Sequence, residues 1–290
     1  MTKQEFADLT KAGIVLLDGA TGSNLRAAGM PVGVPPERWN LDHPQALLDL
    51  QRAYVSAGSQ ILCAPTFSAN RLALRHYFLE EQVAPLNVSL VELSKEAAGG
   101  RALVAGDLAT LGQPMEPNGR MTYARAYDIY REQIEALAEA GVDLLAAETL
   151  MGSEEALALL DAASSVCGLP VLCAFSAEAD GSLIFGGSVR EAALAVQEMG
   201  AAAVGVNCSV GPDQLEAVVR TIREAVDIPV VAKPNAGLPV IDHLGRAHYA
   251  MGPEEFARHM AVLVEAGAAV VGGCCGTTPA YIRRLAGMLR

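Results

Sequence analysis

No uninterrupted apolar run of about 18 residues occurs in the chain, the length that a membrane-spanning helix requires, so no membrane span is expected. Basic residues are scarce. The 21 Lys and Arg stand against 33 Asp and Glu, a net charge of −12, and so acidic a surface argues against nucleic acid or an anionic membrane as the main partner. The start, Met1-Thr2-Lys3-Gln4-Glu5-Phe6-Ala7-Asp8, lacks the apolar core of a signal peptide. A cytoplasmic location is therefore expected, where thiols stay reduced. The glycine fingerprint of dinucleotide-binding loops is also missing, because Asp18-Gly19-Ala20-Thr21-Gly22 carries glycines at the wrong spacing. What the chain does have is 51% hydrophobic residues and 28 Gly over 290 residues, enough for one sizeable core.

One unit repeats along the chain: a short apolar strand ending in a polar residue, a loop, an amphipathic helix, and the next strand. Strands are expected at 14–17, 60–63, 102–105, 142–147, 171–175, 201–206, 229–232 and 268–271. A Pro-rich loop at 31–36 leads to a helix at 44–57, and another helix is expected at 123–140. The pairs Ala57-Gly58, Ala140-Gly141, Met199-Gly200 and Ala266-Gly267 each precede a strand, where glycine past a helix end adopts the left-handed conformation. Strands apolar throughout, not alternating, are buried on both faces. Eight such units indicate an α/β fold of the (β/α)8 TIM-barrel type, in a single domain over 1–290 with no linker. A doubly wound open sheet would need fewer units and a phosphate-type glycine loop.

In such a barrel the carboxyl ends of the strands converge on one rim. Here they carry Asp18, Thr66, Asp107, Glu148, Ser176, Asn207, Cys208, Lys233, Asn235, Cys274 and Cys275. The adjacent pair Cys274-Cys275, set between glycines after strand 268–271 and before a helix opened by Thr278-Pro279, can be a vicinal disulfide, two inert thiols or two ligands of a soft metal. Cys208 ends a strand in the same way, only one strand removed around the barrel. Three thiolates with no fourth cysteine at a matching strand end suit zinc with an open position. Three thiolates leave zinc a poor Lewis acid for a carbonyl but well suited to hold an incoming thiol as a nucleophilic thiolate. Alkyl transfer to a substrate thiol follows as the expected reaction.

Gly205-Val206-Asn207-Cys208 with Gly211-Pro212, Lys233-Pro234-Asn235-Ala236-Gly237-Leu238-Pro239, and Gly272-Gly273-Cys274-Cys275-Gly276-Thr277-Thr278-Pro279 together resemble the homocysteine S-methyltransferase family. Among its branches the chain is most similar to the homocysteine-binding domain of cobalamin-dependent methionine synthases. Asp18-Gly19-Ala20-Thr21-Gly22, Thr66-Phe67 and Glu148-Thr149 fall where that family carries its other motifs, so the resemblance covers nearly the whole chain. It implies a (β/α)8 barrel and Cys208, Cys274 and Cys275 as ligands of a catalytic zinc, with the homocysteine sulfur as the fourth ligand. Asn235 matches the position that occupies the metal when substrate is absent, and Asn207 lies in the same motif as Cys208. Asp18 and Glu148 match the residues that hold the substrate ammonium, and backbone amides near Ala20 and Thr66 its carboxylate.

The chain ends eleven residues after Pro279, so the methyl group is expected from another molecule: a methylcorrinoid such as methylcobalamin on a separate carrier protein, docking on loops 29–44, 112–121 and 237–252. A small donor, S-methylmethionine or betaine, is the alternative, as is a non-catalytic zinc- and homocysteine-binding subunit of a larger assembly. Ser68 stands where the betaine-using branch places a tyrosine, and Pro65 removes one backbone N–H near Thr66. Cys63, Cys167 and Cys173, within or beside apolar strands, read as buried inert thiols. His243, His248 and His259 read as solvated or structural. Lys233 reads as a buried ion-pair partner, Asp107 as either a site residue or a cap, and Tyr123, Tyr127 and Tyr130 as packing residues.

Overall fold

A computed structural model describes residues 1–243 and 247–289 of the chain. Its strands are β1 Val15–Leu16, β2 Ile61–Cys63, β3 Leu103–Ala109, β4 Leu144–Leu150, β5 Val171–Phe175, β6 Ala203–Cys208, β7 Val230–Pro234, β8 Pro239–Ile241, β9 Ala247–Tyr249 and β10 Ala268–Val271. Eight of these form one parallel sheet in the order β1-β10-β7-β6-β5-β4-β3-β2, while β8 and β9 pair as an antiparallel hairpin. Helices separate the strands of the large sheet, so the expected TIM barrel is the fold.

Side chains finish what the ladders leave open. Among the described residues no ladder joins β1 to β2. Instead the Gln60 N–H donates to Leu16 O (2.7 Å), the Gln60 side chain accepts from Leu16 N (2.9 Å), and Asp18 Oδ2 accepts from Cys63 N (2.8 Å). Inward residues Val15, Leu17, Ile61, Ala105, Leu144, Ala146, Leu172, Ala203, Val231 and Val270 fill the barrel, and Phe6 packs into the same cluster with no exposed surface. Phe6 belongs to the helix Lys3–Ala12, which a capping box between Thr2 and Glu5 starts. Alternate residues such as Leu16, Leu62 and Val204 face outward into a larger layer under the helices.

Strand positions follow the sequence expectation, but β3, β4, β6 and β7 run two to four residues further at their carboxyl ends. Glu148 stays in register with Ala109, and Asn207 with Lys233. Polar residues end these strands inside the ladder because the loops above keep the rim buried, and buried backbone groups must remain paired. The four helix-closing glycines, Gly58, Gly141, Gly200 and Gly267, all have positive φ. Apolar periodicity did not reveal the helix Lys3–Ala12, the short helices Gly22–Ala27 and Pro36–Asp42, or the β8–β9 hairpin within 237–252, of which residues 244–246 lie outside the described residues.

Candidate active site at the carboxyl rim

The rim strands bring three thiols together. The Sγ atoms of Cys208, Cys274 and Cys275 lie within 4.8 Å of one another, and all six cysteines are free thiols. Cys208 ends β6 in the left-handed region (φ 59°), as does Ser209 (φ 48°), a conformation costing about 1–3 kcal/mol for such residues and found mainly where function holds it. The turn after β10 is pinned on both sides: Gly273 N donates to Asp18 O (3.0 Å), Cys274 N to Pro234 O (2.7 Å), and Ala236 N to Cys275 O (2.9 Å). A Cβ at Gly272 would sit 2.8 Å from Asp18 O, and one at Gly276, where φ is 82°, would collide with the Tyr249 ring. Glycines flank the cysteines because backbone and ring close on them there.

The thiols share their protons. Hydrogen bonds from Cys208, Cys274 and the Tyr249 hydroxyl hold Cys275 down at about 3, whereas Cys274, donating to both neighbours, is pushed well above the thiol range. One thiolate supported by two S–H donors is an arrangement from which a metal ion would displace the remaining thiol protons. Beside it, Asn235 donates through Nδ2 to Ser209 O (3.1 Å) while its Oδ1 is buried without a partner. Three convergent thiols and an orphaned amide oxygen fit a thiophilic metal.

Below the thiols lies a charged cluster. Lys233, 4% exposed, places Nζ 2.6 Å from Glu148 Oε1, 3.6 Å from Asp18 Oδ1 and 3.5 Å from Cys63 Sγ. Burial raises Asp18 to about 6, with Lys233 opposing the rise, and pushes Asp107 well above the usual carboxylate range. A cavity of about 380 Å³ is lined by residues of both clusters, among them Asp107, Glu148, Lys233 and the three cysteines, and also by Glu37 and Asn40.

A sequence profile of the homocysteine S-methyltransferases matches residues 15–289. The chain belongs to the homocysteine S-methyltransferase family. The crystal structure of the homocysteine methyltransferase MmuM from Escherichia coli, metallated form, is similar to it with a TM-score of 0.82 and 25% identity over 97% of this chain and 98% of that one. Methionine synthase of Mycobacterium tuberculosis is 29% identical over 97% of this chain, and that of Mycobacterium leprae 29% over 94%. The chain spans about a quarter of the length of these synthases, 25% and 24%.

In this chain the residues singled out by motif play different parts. Ala20, Cys208, Cys274, Cys275 and Glu148 line the cavity. Asn207 sits behind it as a clamp, accepting from Thr149 N (2.7 Å) and donating to Thr149 Oγ1 (3.0 Å), with Thr149 held at φ 60°. Asp18, Ala20 and Thr66 are engaged within the chain: Ala20 N donates to Thr277 Oγ1 (3.1 Å), Thr66 N to Ala64 O (2.7 Å), and Asp18 is fully buried. Lys233 is the buried ion-pair partner that the sequence suggested. Of the three tyrosines, Tyr130 is buried and donates to Glu155 (2.7 Å), while Tyr123 is exposed. His248 is a surface residue 2.8 Å from Asp242. No sequence signal marked Tyr249, which reaches the thiols from the hairpin, or Asn40, whose amide atoms are both buried and unpartnered on the cavity wall.

Proposed function

We propose that Cys208, Cys274 and Cys275 hold a zinc ion and that the enzyme methylates homocysteine to methionine, with a methylcorrinoid on a separate protein as donor. The convergence of the three Sγ atoms within 4.8 Å carries this reading. Zinc held by three thiolates lowers the pKa of an incoming thiol while leaving its sulfur electron-rich. The chain's own residues do the rest. The rim turn holds the three sulfurs in place through its paired backbone, and Tyr249 supports Cys275 with a hydrogen bond. The acidic cluster offers a counter-charge for the acceptor's ammonium, which orients its sulfur for in-line attack. The sulfur electron pair then forms the S–CH3 bond, and the donor's leaving group departs with the pair of the bond that breaks. Leu238, Val240 and Ile241, more than half exposed, lie on and beside β8 of the hairpin that carries Tyr249, where a large donor would approach.

A second reading, in which S-methylmethionine or betaine is the donor, draws support from the match to a homocysteine methyltransferase along 98% of its chain. Zinc content is measured with X-ray absorption during a homocysteine titration, followed by turnover with methylcobalamin, S-methylmethionine and betaine. The proposal expects three metal–sulfur ligands becoming four, and turnover with the corrinoid. A metal-free protein under reducing conditions, or a metal indifferent to homocysteine, overturns the mechanism. Binding without turnover by any donor identifies an acceptor-binding subunit instead.

A further inference from the structure

The two carboxylates that the family motif assigns to the substrate ammonium already have a cation in this chain. Glu148 Oε1 is 2.6 Å from Lys233 Nζ, and Oε2 accepts from Asn207 Nδ2 (3.4 Å). Asp18 has no exposed surface; Cys63 N takes one of its oxygens, and Lys233 stands 3.6 Å from the other. Asp18 Oδ1 has no hydrogen bond, but Lys233 supplies its counter-charge and the residue does not line the cavity. A third acid is placed differently. Asp107 lines the cavity, its Oδ1 is buried with no hydrogen-bond partner, and its backbone is clamped by Thr66, whose Oγ1 accepts from Asp107 N (3.0 Å) and donates to Asp107 O (2.9 Å). With its main chain held, only the carboxyl group is left to meet a ligand.

We propose that Asp107 anchors the α-ammonium of the acceptor, and that Lys233 occupies the place on Glu148 and Asp18 where that ammonium would otherwise sit. The proposal rests on homocysteine being the acceptor. Charge supports it: Asp18, Asp107 and Glu148 all face Lys233, one cation for three acids. A carboxyl group buried without a counter-charge is unfavourable, and an ammonium ligand at Asp107 removes that cost by making a charge-assisted bond. Lys233 cannot readily yield its position, since leaving would strand Glu148 and Asp18 together.

The test compares homocysteine with its desamino analogue, 4-mercaptobutanoate, by calorimetric binding to the zinc-loaded protein. Wild type is expected to bind homocysteine at least ~10-fold more tightly, the range of a hydrogen bond to a charged group. Asp107→Asn, with Asp107→Ser as a second variant, is expected to erase that preference by weakening homocysteine alone, leaving 4-mercaptobutanoate within about 2-fold. Retained binding of the analogue also shows that the variant is folded. The proposal is overturned if wild type shows no preference, if the Asp107 variants keep it or weaken both thiols alike, or if Glu148→Gln erases it selectively. Wild type that binds neither thiol refutes homocysteine as acceptor, a different result.

Discussion

Replacing Lys233 by Met tests whether the buried cluster is held together by its single cation. The substitution keeps side-chain length and removes the ammonium 2.6 Å from Glu148 Oε1 and 3.6 Å from Asp18 Oδ1. Asp18, Asp107 and Glu148 are at most 7% exposed, so water cannot compensate for the loss. Deleting one member of a buried ion pair typically costs about 3–5 kcal/mol, which for a chain of this size lowers the melting temperature by on the order of 10 °C. The deficit depends on pH in a definite direction. Asp18 has its folded value raised to about 6 from 3.8, and removing Lys233 raises it further. A carboxyl group raised on folding contributes stability that is fully present below its unfolded value and is lost as pH rises through its folded value. The variant should therefore lie closest to wild type near pH 4 and fall progressively behind it up to and beyond pH 6. Paired thermal melts between pH 4 and 8 on the zinc-free proteins measure this. A melting temperature within 2 °C of wild type, or a gap that does not widen with pH, would refute the reasoning.

Cys275→Ser removes one of three convergent sulfurs and is expected to weaken zinc binding more than ~100-fold, exceeding the effect of losing an outer hydrogen bond; competition with a chromophoric chelator reads it. Tyr249→Phe deletes a hydrogen bond that stabilises the Cys275 thiolate, so in the metal-free protein the reactive thiol should titrate at higher pH, seen as a shifted pH profile of alkylation rate; an unchanged profile would remove Tyr249 from the site. Phe6→Ala empties the floor of the barrel and should cost about 3–5 kcal/mol in urea unfolding, with zinc stoichiometry unaffected because the thiols lie at the opposite end.

The barrel was legible because its strands are apolar on both faces and its helices close on glycine, two signals that need no long-range information. The cluster of three thiols was legible because Cys208 and Cys274-Cys275 stand at strand ends, and parallel strands point their carboxyl ends the same way. The helix Lys3–Ala12 was missed although its capping box is local: eight of its ten residues are at least partly exposed on polar or small side chains, and one fully buried residue, Phe6, gives no periodicity. The hairpin was missed because β8 and the first two residues of β9 are exposed, so no buried face imposes an alternation.

Residue type and spacing along the chain by themselves determined the α/β barrel, the three thiols and the class of chemistry they suit, since each depends on periodicity or on position at a strand end. Tertiary structure alone decided how the acidic residues divide their work. Asp18, Asp107, Glu148 and Lys233 come from four strands or strand ends, and which carboxylate receives the lysine depends on ångström-scale distances across the barrel that no spacing encodes. Burial then makes that choice consequential, because in a site closed to water an unpaired charge cannot be screened.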